Sequence, residues 1–587
     1  MGNNKDYIPI TIGENPDQDA WLTAFFLENH VDPFAYPYKV GSVEQIEFMV
    51  YLQNNERYFP CSDKMFEAIM SRSCQQYLQE RYQYVYDKVM QMVNDFIESA
   101  YDREFLTALI RIKYEHEIET CLIIPSRLEK RLCKIFLSRT HIENPYSQEK
   151  QHENRQAQKL LHSDTFKKAV NHIDGAFKNI DTLSLHSLRK KIKEIELQRL
   201  LTVLCAQNLW CQKKMQTPSL EECKNIFNSP ITGNGLARLI DLIHTPKRKI
   251  LWLTDESGSV MVDIAIAKFL ADLGHIVILA VKETPVFKKV SLADTRTDPV
   301  LARELVPSHF IHEKTISKNR LVQRLKQDED LYVVSDGTKE TLNLLLASTT
   351  FARIFKEVDY VISRGHDQKR RLIETHFQFT RDIINISVEE NSTSENQLSI
   401  TFKPRHPDVI NFSHKDLEDR ANRIIDQMKA AKTKNMTVMF YSGIIGSIPG
   451  KIDVAKKIMT EFINHLKQQY PDLFIINPAT YYEPGMDADD LMYMWEIVQT
   501  SNYIDIWRFQ TTEDITASFA LMKQKVPPEW IGKDATYSTG CTKEMRIAQK
   551  ALETNPEMQI IGPSLDKFMR RDEYGVGSMY DQRLADG

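Results

Sequence analysis

The stretch 250–285, "ILWLTDESGSVMVDIAIAKFLADLGHIVILAVKETP", decides the fold. An apolar run at 250–253 ends just before two carboxylates, Asp255 and Glu256, and an amphipathic helix leads to a second apolar run at 276–281. Continuous apolarity is typical of strands covered on both faces in a parallel sheet. The stretch therefore predicts a strand–helix–strand unit with Asp255 at the carboxyl end of its first strand, where ligands bind in such sheets.

The same alternation organises the rest of the chain. Residues 15–140 show helical spacing, whereas the polar segment 144–160 predicts a linker or exposed loop. We expect a helical N-terminal region at 1–145, an α/β domain with leading helices at 161–390, and a second α/β domain at 397–587. The middle domain should be a Rossmann-like three-layer α/β/α domain with a mostly parallel sheet. Its predicted strands are 249–254, 275–281, 331–334, 358–363 and 382–388.

Composition narrows the classes of function. The 587 residues carry a formal net charge of −5 and no long basic run, which argues against nucleic-acid binding. No apolar stretch is long enough to span a membrane, and the N-terminus lacks a signal-peptide pattern, so we expect a cytoplasmic protein without a membrane partner. The eight cysteines fit no zinc spacing and predict reduced thiols. The sequence indicates no oligomeric state.

The carboxylates after the first strand allow two interpretations. They can hold a cation through oxygen, or they can simply cap the following helix. Later strand ends favour a site: "LYVVSDGT" places Asp336 at one tip, and "DYVISRG" places Arg364 at another. Carboxylates suit a metal, while basic side chains and glycine-loop N–H groups suit phosphate oxygens. We therefore predict that Asp255, Asp336 and Arg364 lie at one edge of one parallel sheet.

In this order the motifs resemble the damage-control phosphatase family over residues 249–388. The resemblance implies a divalent metal (Mn, Co, Ni or Mg) and a small phosphorylated metabolite, such as a sugar phosphate, as substrate. It implies a metal-dependent phosphomonoesterase. Together with the strand-end pattern, it points to Asp255, Lys282 and Arg364 for catalysis, to Gly258, Gly337, Thr338 and Gly365 for phosphate, and to Asp255 and Glu256 for the metal, with Asp294 as a further candidate ligand.

The sequence also departs from the family pattern. Glu256 replaces the family's Asn, and Val260 replaces a frequent acidic residue. A second metal-binding Asp is expected shortly after the "K-x-x-P" motif formed by Lys282 and Pro285, but Phe-Lys-Lys-Val stands at 287–290. A lysine in that neighbourhood opposes a divalent cation.

Two alternatives follow from these departures. Asp294 can supply the missing carboxylate if the loop is re-routed. Otherwise the Lys289 ammonium stands in for the cation beside Asp255 and Glu256, and the protein is a catalytically degenerate relative that binds a phosphorylated or acidic ligand.

A third hypothesis places the activity in the C-terminal domain. Its glycine-rich turn at 441–453 lacks P-loop spacing and the following Ser or Thr, so we expect it to shape the backbone, with anion binding at the start of the next helix as the alternative. Cys541 should lie near a helix N-terminus, without the spacing of a phosphatase loop. Asp487, Asp489 and Asp490 should stabilise the start of a helix rather than bind metal.

Overall fold

The computed structural model describes residues 12–36, 38–53, 56–172, 184–212, 218–326, 329–390, 396–448, 450–481, 483 and 485–573. The chain divides into two compact units, Met1–Pro407 and Asp408–Gly587. The first unit contains both the N-terminal helices and the main sheet. The division into three regions expected from the sequence remains a prediction.

An eight-stranded sheet forms the centre of the first unit, in the order β2-β10-β9-β7-β3-β4-β6-β5. The strands from β9 to β5 in this order pair in parallel, and β10 is antiparallel to β9. All five strands predicted from apolar runs are present. The strands of the unit are β1 Val50–Tyr51, β2 Ile231–Thr232, β3 Lys249–Leu253, β4 Ile276–Val281, β5 His309–Ile311, β6 Leu331–Ser335, β7 Tyr360–Arg364, β8 Gln378–Phe379, β9 Asp382–Glu390 and β10 Asn396–Lys403.

Both faces of this sheet are covered, as the continuous apolar runs predict. Leu251 and Leu253 of β3 belong to a core shared with the N-terminal helices. Ile250 and Trp252 point into a second core shared with the helices between residues 147 and 272. Successive side chains of a strand alternate between faces, so an apolar strand requires cover on both sides. The predicted α/β class with a three-layer arrangement is confirmed.

Helices account for most of the rest of the first unit. Residues 71–75 separate the helices Asp63–Met70 and Gln76–Phe96, and the chain turns after Leu185–Thr202 so that Trp210 packs against Gly258. The helices are α1 Pro16–Glu28, α2 Val43–Glu47, α3 Asp63–Met70, α4 Gln76–Phe96, α5 Ala100–Ile118, α6 Pro125–Thr140, α7 Ser147–His162, α8 Asp164–Val170, α9 Leu185–Thr202, α10 Asn208–Cys211, α11 Leu220–Phe227, α12 Leu236–Ile243, α13 Ser259–Asp272, α14 Asp294–Thr297, α15 Pro299–Glu304, α16 Lys318–Leu325, α17 Thr349–Glu357 and α18 Gly365–Leu372.

The segment expected to be a linker is a helix instead. Helix α7 spans Ser147–His162, and its polar side chains Lys150, Glu153 and Asn154 are buried. The prediction of an exposed loop at 144–160 was wrong because it equated polarity with exposure. Here the polar face packs against other polar groups, which satisfy its hydrogen bonds.

The second unit is a smaller α/β domain with a four-stranded parallel sheet in the order β12-β11-β13-β14. Its strands are β11 Thr437–Ser442, β12 Leu473–Ile476, β13 Ile506–Phe509 and β14 Gln559–Ile561, and its helices are α19 His414–Thr433, α20 Ile452–Gln469, α21 Ala488–Gln499, α22 Thr512–Leu521, α23 Thr539–Thr554 and α24 Leu565–Glu573. Asp487 and Asp490 form a capping box at the start of α21, as expected for helix-stabilising carboxylates.

Two sequence-based expectations concern the whole chain. In the parts of the chain that the structure describes, no helix has the length and apolarity needed to cross a membrane. Cys74 and Cys121 form a disulfide that joins the start of α4 to the end of α5. The expectation of reduced thiols is therefore wrong for this pair, whereas the other six cysteines, all within the described residues, are not in disulfides.

Candidate strand-end site

The predicted site residues follow strands that are parallel neighbours in the sheet. Asp255 follows β3, Lys282 follows β4, Asp336 follows β6, and Arg364 ends β7. Because β7, β3, β4 and β6 pair in parallel, their carboxyl ends share one edge. The prediction that Asp255, Asp336 and Arg364 lie at one edge is confirmed, but the side chains point to different neighbours.

The loop after β4 folds back onto the end of β3. Lys282 and Ser291 form one bridge, and Glu256 pairs with Lys289 in another. A turn at Phe287, which has a positive φ of 48°, closes the loop through a bond from the Lys289 N–H to the Val286 carbonyl at 2.9 Å. This pairing delivers the Lys289 side chain to the tip of β3.

Lys289 is the cation of the site. Its Nζ lies 2.8 Å from Asp255 Oδ1 and 3.3 Å from Asp367 Oδ2, and its side chain is only 10% exposed. Glu256 is the adjacent residue on the same edge, so three carboxylates surround one ammonium. This is the arrangement that the second sequence-based alternative describes.

The pKa shifts in this cluster follow from charge pairing. Burial alone would lower the pKa of Lys289, but the charges of Asp255, Asp367 and Glu256 raise it well above its usual value. In the same way, burial opposes ionisation of Asp367, yet Lys289 and Arg370 hold its pKa well below its usual range. Lys289 and Asp367 are therefore both ionised at neutral pH.

Glu256 behaves differently because Lys289 does not pair directly with its carboxylate. Solvent still reaches Glu256, but desolvation by the surrounding protein raises the pKa of its carboxyl, and the negative charge of Asp255 adds to this effect. Lys289 counteracts part of the shift. One ammonium thus satisfies two carboxylates and leaves the third partly uncompensated.

Gly365 allows β7 to approach Asp255 closely. Its φ is +81°, and a Cβ placed on it would lie 2.2 Å from Asp255 Oδ2. Helix α18 begins at this glycine without a side-chain cap. Backbone N–H groups at a helix start favour negative charge, so the glycine brings the Asp255 side chain close to a favourable helix end.

The N-terminal helices form a wall of the same site. Lys88 of α4 lies 3.7 Å from the centre of the Phe287 ring, at the turn that carries Lys289, and pairs with Glu129 at 2.9 Å. Burial lowers the pKa of Lys88, but the Glu129 carboxylate outweighs it and the net shift is upward. The turn is thus held by a charged contact from outside the sheet.

Asp294 is not directed at Asp255. Its Oδ2 accepts hydrogen bonds from Lys150 Nζ at 2.9 Å and from the Ser291 N–H and hydroxyl at 2.8 and 2.7 Å, while Asn144 donates to its Oδ1 at 2.9 Å. Lys150 also donates to the Lys289 carbonyl at 2.8 Å. Asp294 therefore anchors the loop to α7, and its predicted role as a metal ligand would require these bonds to break.

Lys282, Asp336 and Thr338 form a second group at the same edge. Lys282 Nζ lies 2.6 Å from Asp336 Oδ2 and 3.0 Å from Thr338 Oγ1, and all three residues are buried. The Thr338 N–H donates to Asp336 Oδ1 at 2.8 Å. The positive φ of Gly337, +79°, shapes this turn. The structure thus brings together three of the residues singled out from "VKxxP" and "SDGT".

Arg364 is separated from both groups. Its Nε donates to Asp263 Oδ1 at 2.7 Å and its Nη1 to the Ile386 carbonyl at 3.0 Å, with the side chain 3% exposed. Burial raises the pKa of Asp263, and Arg364 counteracts that shift. The guanidinium predicted to bind phosphate is instead an internal partner for a buried carboxylate of α13.

Gly258 also has a structural use. A Cβ on this residue would lie 2.1 Å from the Trp210 ring, and its N–H donates to Asn154 Oδ1 at 2.7 Å. The neighbouring Ser257 hydroxyl donates to Glu153. Helix α7 therefore takes up the Gly258 N–H, which sequence reasoning assigned to a phosphate.

A family model described as the damage-control phosphatase ARMT1-like domain matches residues 60–388, which is more than half of the chain. The chain belongs to the damage-control phosphatase ARMT1-like family. The match begins within the N-terminal helices, in agreement with their contribution to the site. The crystal structure of a DUF89 family protein from Pyrococcus horikoshii is 14% identical, with 56% of this chain and 98% of that chain covered and a TM-score of 0.38. No curated protein matches the chain.

The residues of this member do not fit a divalent metal centre. Lys289 already places a positive charge 2.8 Å from the expected first ligand, Asp255, and Asp294 is engaged by Lys150. Among the residues that the structure describes, no group of three or more His, Cys, Asp or Glu side chains is arranged to hold a metal ion. In the loop after β4, the Lys289 ammonium stands where the family pattern has a metal-binding Asp.

Sequence reasoning missed Asp367, Lys88 and Lys150. Asp367 had a usable signal, because "RGHD" places it three residues after the end of β7, on the first turn of a helix. Lys88 and Lys150 gave no local signal. They come from helices distant in sequence, and only the packing of those helices brings them to the loop.

Proposed function

We propose that this member of the family binds a small phosphorylated or acidic metabolite at the strand-end site, with the Lys289 ammonium in the place of a divalent cation. The observation that carries the proposal is the double ion pair from Lys289 to Asp255 and Asp367 at 2.8 and 3.3 Å. An ammonium has three N–H donors, and these contacts use two. The third N–H can donate a hydrogen bond to a phosphoryl or carboxylate oxygen of the ligand.

The start of α18 supports the same ligand class. The helix begins at Gly365 without a side-chain cap, and Gly365 is the residue that approaches Asp255. A ligand oxygen beside Lys289 would therefore meet an ammonium N–H and favourably oriented backbone dipoles. Both groups are held in place before the ligand arrives, which lowers the ordering cost of binding.

Calorimetry with inorganic phosphate as the probe tests this proposal. Phosphate should bind the full-length protein equally well with and without a chelator, and Lys289→Met should weaken binding at least tenfold. Lys288→Met is the matched control, because its ammonium pairs with Glu149 and Glu153 at 2.5 and 2.8 Å rather than with Asp255. Equal phosphate affinity in wild type and Lys289→Met would refute the proposal.

A metal-dependent phosphomonoesterase is the competing function, favoured by the family match and by the Asp255–Glu256 pair. It predicts hydrolysis of p-nitrophenyl phosphate that requires added Mn²⁺ and disappears in Asp255→Ala. Under our proposal wild type does not bind Mn²⁺ tightly, whereas the double variant Glu256→Asn with Lys289→Asp gains Mn²⁺ affinity. A wild type that already binds one Mn²⁺ tightly, with no gain in the double variant, decides for the phosphomonoesterase.

A further inference from the structure

Helix α5 carries an apolar stripe that faces solvent. Tyr101, Phe105 and Ile112 are 78%, 47% and 63% exposed, and the small residue Ala108 lies between them. Spacings of four, three and four residues place these four side chains, here called the α5 stripe, on one face of the helix. The buried residues of α5, such as Leu106, lie on the opposite face and pack into the N-terminal core. An exposed row of this kind marks a contact site, whereas single exposed hydrophobic residues do not.

Charged side chains of both signs border the α5 stripe. Glu104 and Arg111 lie along one border, about two turns apart, and Asp102 and His116 lie along the other. All four residues are exposed, and none of them forms an ion pair among the residues that the structure describes. Each border therefore has an acid near the start of the helix and a base near its end.

This order of charges is self-complementary. When two copies of α5 pack antiparallel about a two-fold axis near Ala108, each border faces the same border of the other copy. Glu104 of one copy then lies beside Arg111 of the other. In the same way, Asp102 of one copy lies beside His116 of the other, so that both acids meet a base.

The α5 stripe pairs equally well in this arrangement. Tyr101 and Glu115 are each seven residues from Ala108, so the Tyr101 hydroxyl of one copy lies opposite the Glu115 carboxylate of the other. Phe105 and Ile112 lie three and four residues from Ala108 and interleave near the axis. The small Ala108 side chain allows the two helices to approach closely.

Parallel packing would lack this complementarity. In a parallel pair, each residue of one border faces the residue five positions further along in the other border. Arg111 would then face His116 of the other copy, and Glu104 would face Leu109. Neither acid–base contact would form.

A membrane surface is a poorer fit than a second copy. Helices that lie on membranes carry Lys and Arg along their polar borders. The α5 stripe is instead surrounded by acids, namely Asp102, Glu104, Glu115 and Glu119. Anionic lipids would repel these carboxylates, whereas a second copy of α5 supplies bases for them.

We propose that two copies of this chain associate through the α5 stripe in an antiparallel, two-fold symmetric contact, with Glu104 of each copy paired to Arg111 of the other. One helix from each copy buries little surface compared with a standard interface, so the association is weak and depends on protein concentration. This contact does not depend on the function proposed for Lys289.

Sedimentation equilibrium of the full-length protein tests the contact. Wild type should show a monomer–dimer equilibrium, and Ile112→Glu should weaken it at least tenfold by placing a charge in the apolar seam. Tyr84→Glu is the matched control, because Tyr84 is also an exposed aromatic residue, at 58%, but lies on α4 outside the stripe. This variant should keep the wild-type dissociation constant.

Charge reversal tests the pairing itself. Glu104→Arg and Arg111→Glu should each weaken self-association at least tenfold, because each brings like charges together across the two-fold axis. An equimolar mixture of these two variants should recover the wild-type dissociation constant, since both acids of one chain then meet both bases of the other. A purely structural effect of either substitution would not be reversed by mixing.

Three results would overturn the proposal. They are a wild type that remains monomeric at the highest concentration, self-association that Ile112→Glu leaves unchanged, and a mixture that associates no better than its separate variants. A monomeric wild type that floats with vesicles containing phosphatidylserine would assign the stripe to a membrane instead.

Discussion

The two units place carboxyl groups at the carboxyl ends of parallel strands and neutralise them by opposite means. In the first unit Lys289 lies 2.8 Å from Asp255, and both Lys289 and Asp367 stay ionised. In the second unit Glu544 has only uncharged hydrogen-bond partners, and its pKa rises to about 7. The comparison shows that a buried carboxyl takes a counter-charge where one is provided and a proton where it is not.

The largest expected effect comes from removing the counter-charge. Lys289→Met would leave Asp255 and Asp367 close together without their shared cation. Breaking a buried ion pair from one side costs about 3–5 kcal/mol, and partial exposure of the carboxylates favours the lower end. We expect the free energy of unfolding at pH 7, from urea denaturation, to fall by about 3 kcal/mol.

The exposed pair Lys429–Asp426 provides the control for that experiment. Lys429→Met should change the unfolding free energy by no more than about 0.5 kcal/mol, since surface ion pairs contribute little. If both lysine variants lose the same small amount, Lys289 does not neutralise the first site.

In contrast to Lys289→Met, Glu544→Gln should raise the free energy of unfolding. The folded protein keeps the proton of Glu544 up to a pKa of about 7, whereas an ordinary glutamate carboxyl, as in the unfolded chain, has a pKa of 4.5. Between these values the folded state binds more protons, so stability falls as pH rises and then stays low above pH 7. The shift corresponds to roughly 3 kcal/mol.

The measurement is unfolding of wild type and Glu544→Gln at pH 4.5 and pH 8. The variant should be more stable than wild type at pH 8 by up to about 3 kcal/mol and should lose this advantage at pH 4.5. A constant difference between the two pH values would show that Glu544 does not titrate as a lone buried carboxyl.

Gly365→Ala should disturb the contact between β7 and Asp255. The added Cβ would lie 2.2 Å from Asp255 Oδ2 at a φ of +81°. Backbone strain alone costs about 1 kcal/mol, and the steric clash with a carboxylate held by Lys289 should bring the total loss of unfolding free energy to about 2 kcal/mol.

Gly274→Ala separates these two contributions. Gly274 has a similar φ of +89°, but nothing lies within 4 Å of its Cβ position. Thermal denaturation should show a smaller loss for Gly274→Ala than for Gly365→Ala. Equal losses would mean that Asp255 moves aside freely.

The smallest effect is expected for Asp367→Asn. Its carboxylate is one-third exposed, so the ion pairs with Lys289 and Arg370 are worth about 1 kcal/mol at most. Because its pKa is lowered in the folded state, this contribution exists above the unfolded value of 3.8 and declines as the pH falls below it. Urea unfolding should show a larger difference between wild type and variant at pH 7 than at pH 3.

The sequence alone determined the strands and their edge. Apolar runs predicted β3, β4, β6, β7 and β9, because a strand buried on both faces must be apolar throughout. Parallel pairing then placed the following residues at one edge, so Asp255, Lys282 and Asp336 could be located from local pattern. The capping role of Asp487 was likewise local, since a cap depends on the next three residues.

Only the tertiary structure decided which side chains meet. Asp255 and Lys289 are 34 residues apart, and they pair because the loop after β4 returns to Glu256. Lys150 and Asp294 are 144 residues apart. They meet because Lys150 lies on helix α7, whose polar sequence predicts a linker. The strength of an ion pair depends on distance and on exclusion of water, and neither quantity is encoded in a local pattern. The sequence therefore specified the carboxylates at the strand ends, whereas packing decided that a lysine neutralises the first site and a proton the second.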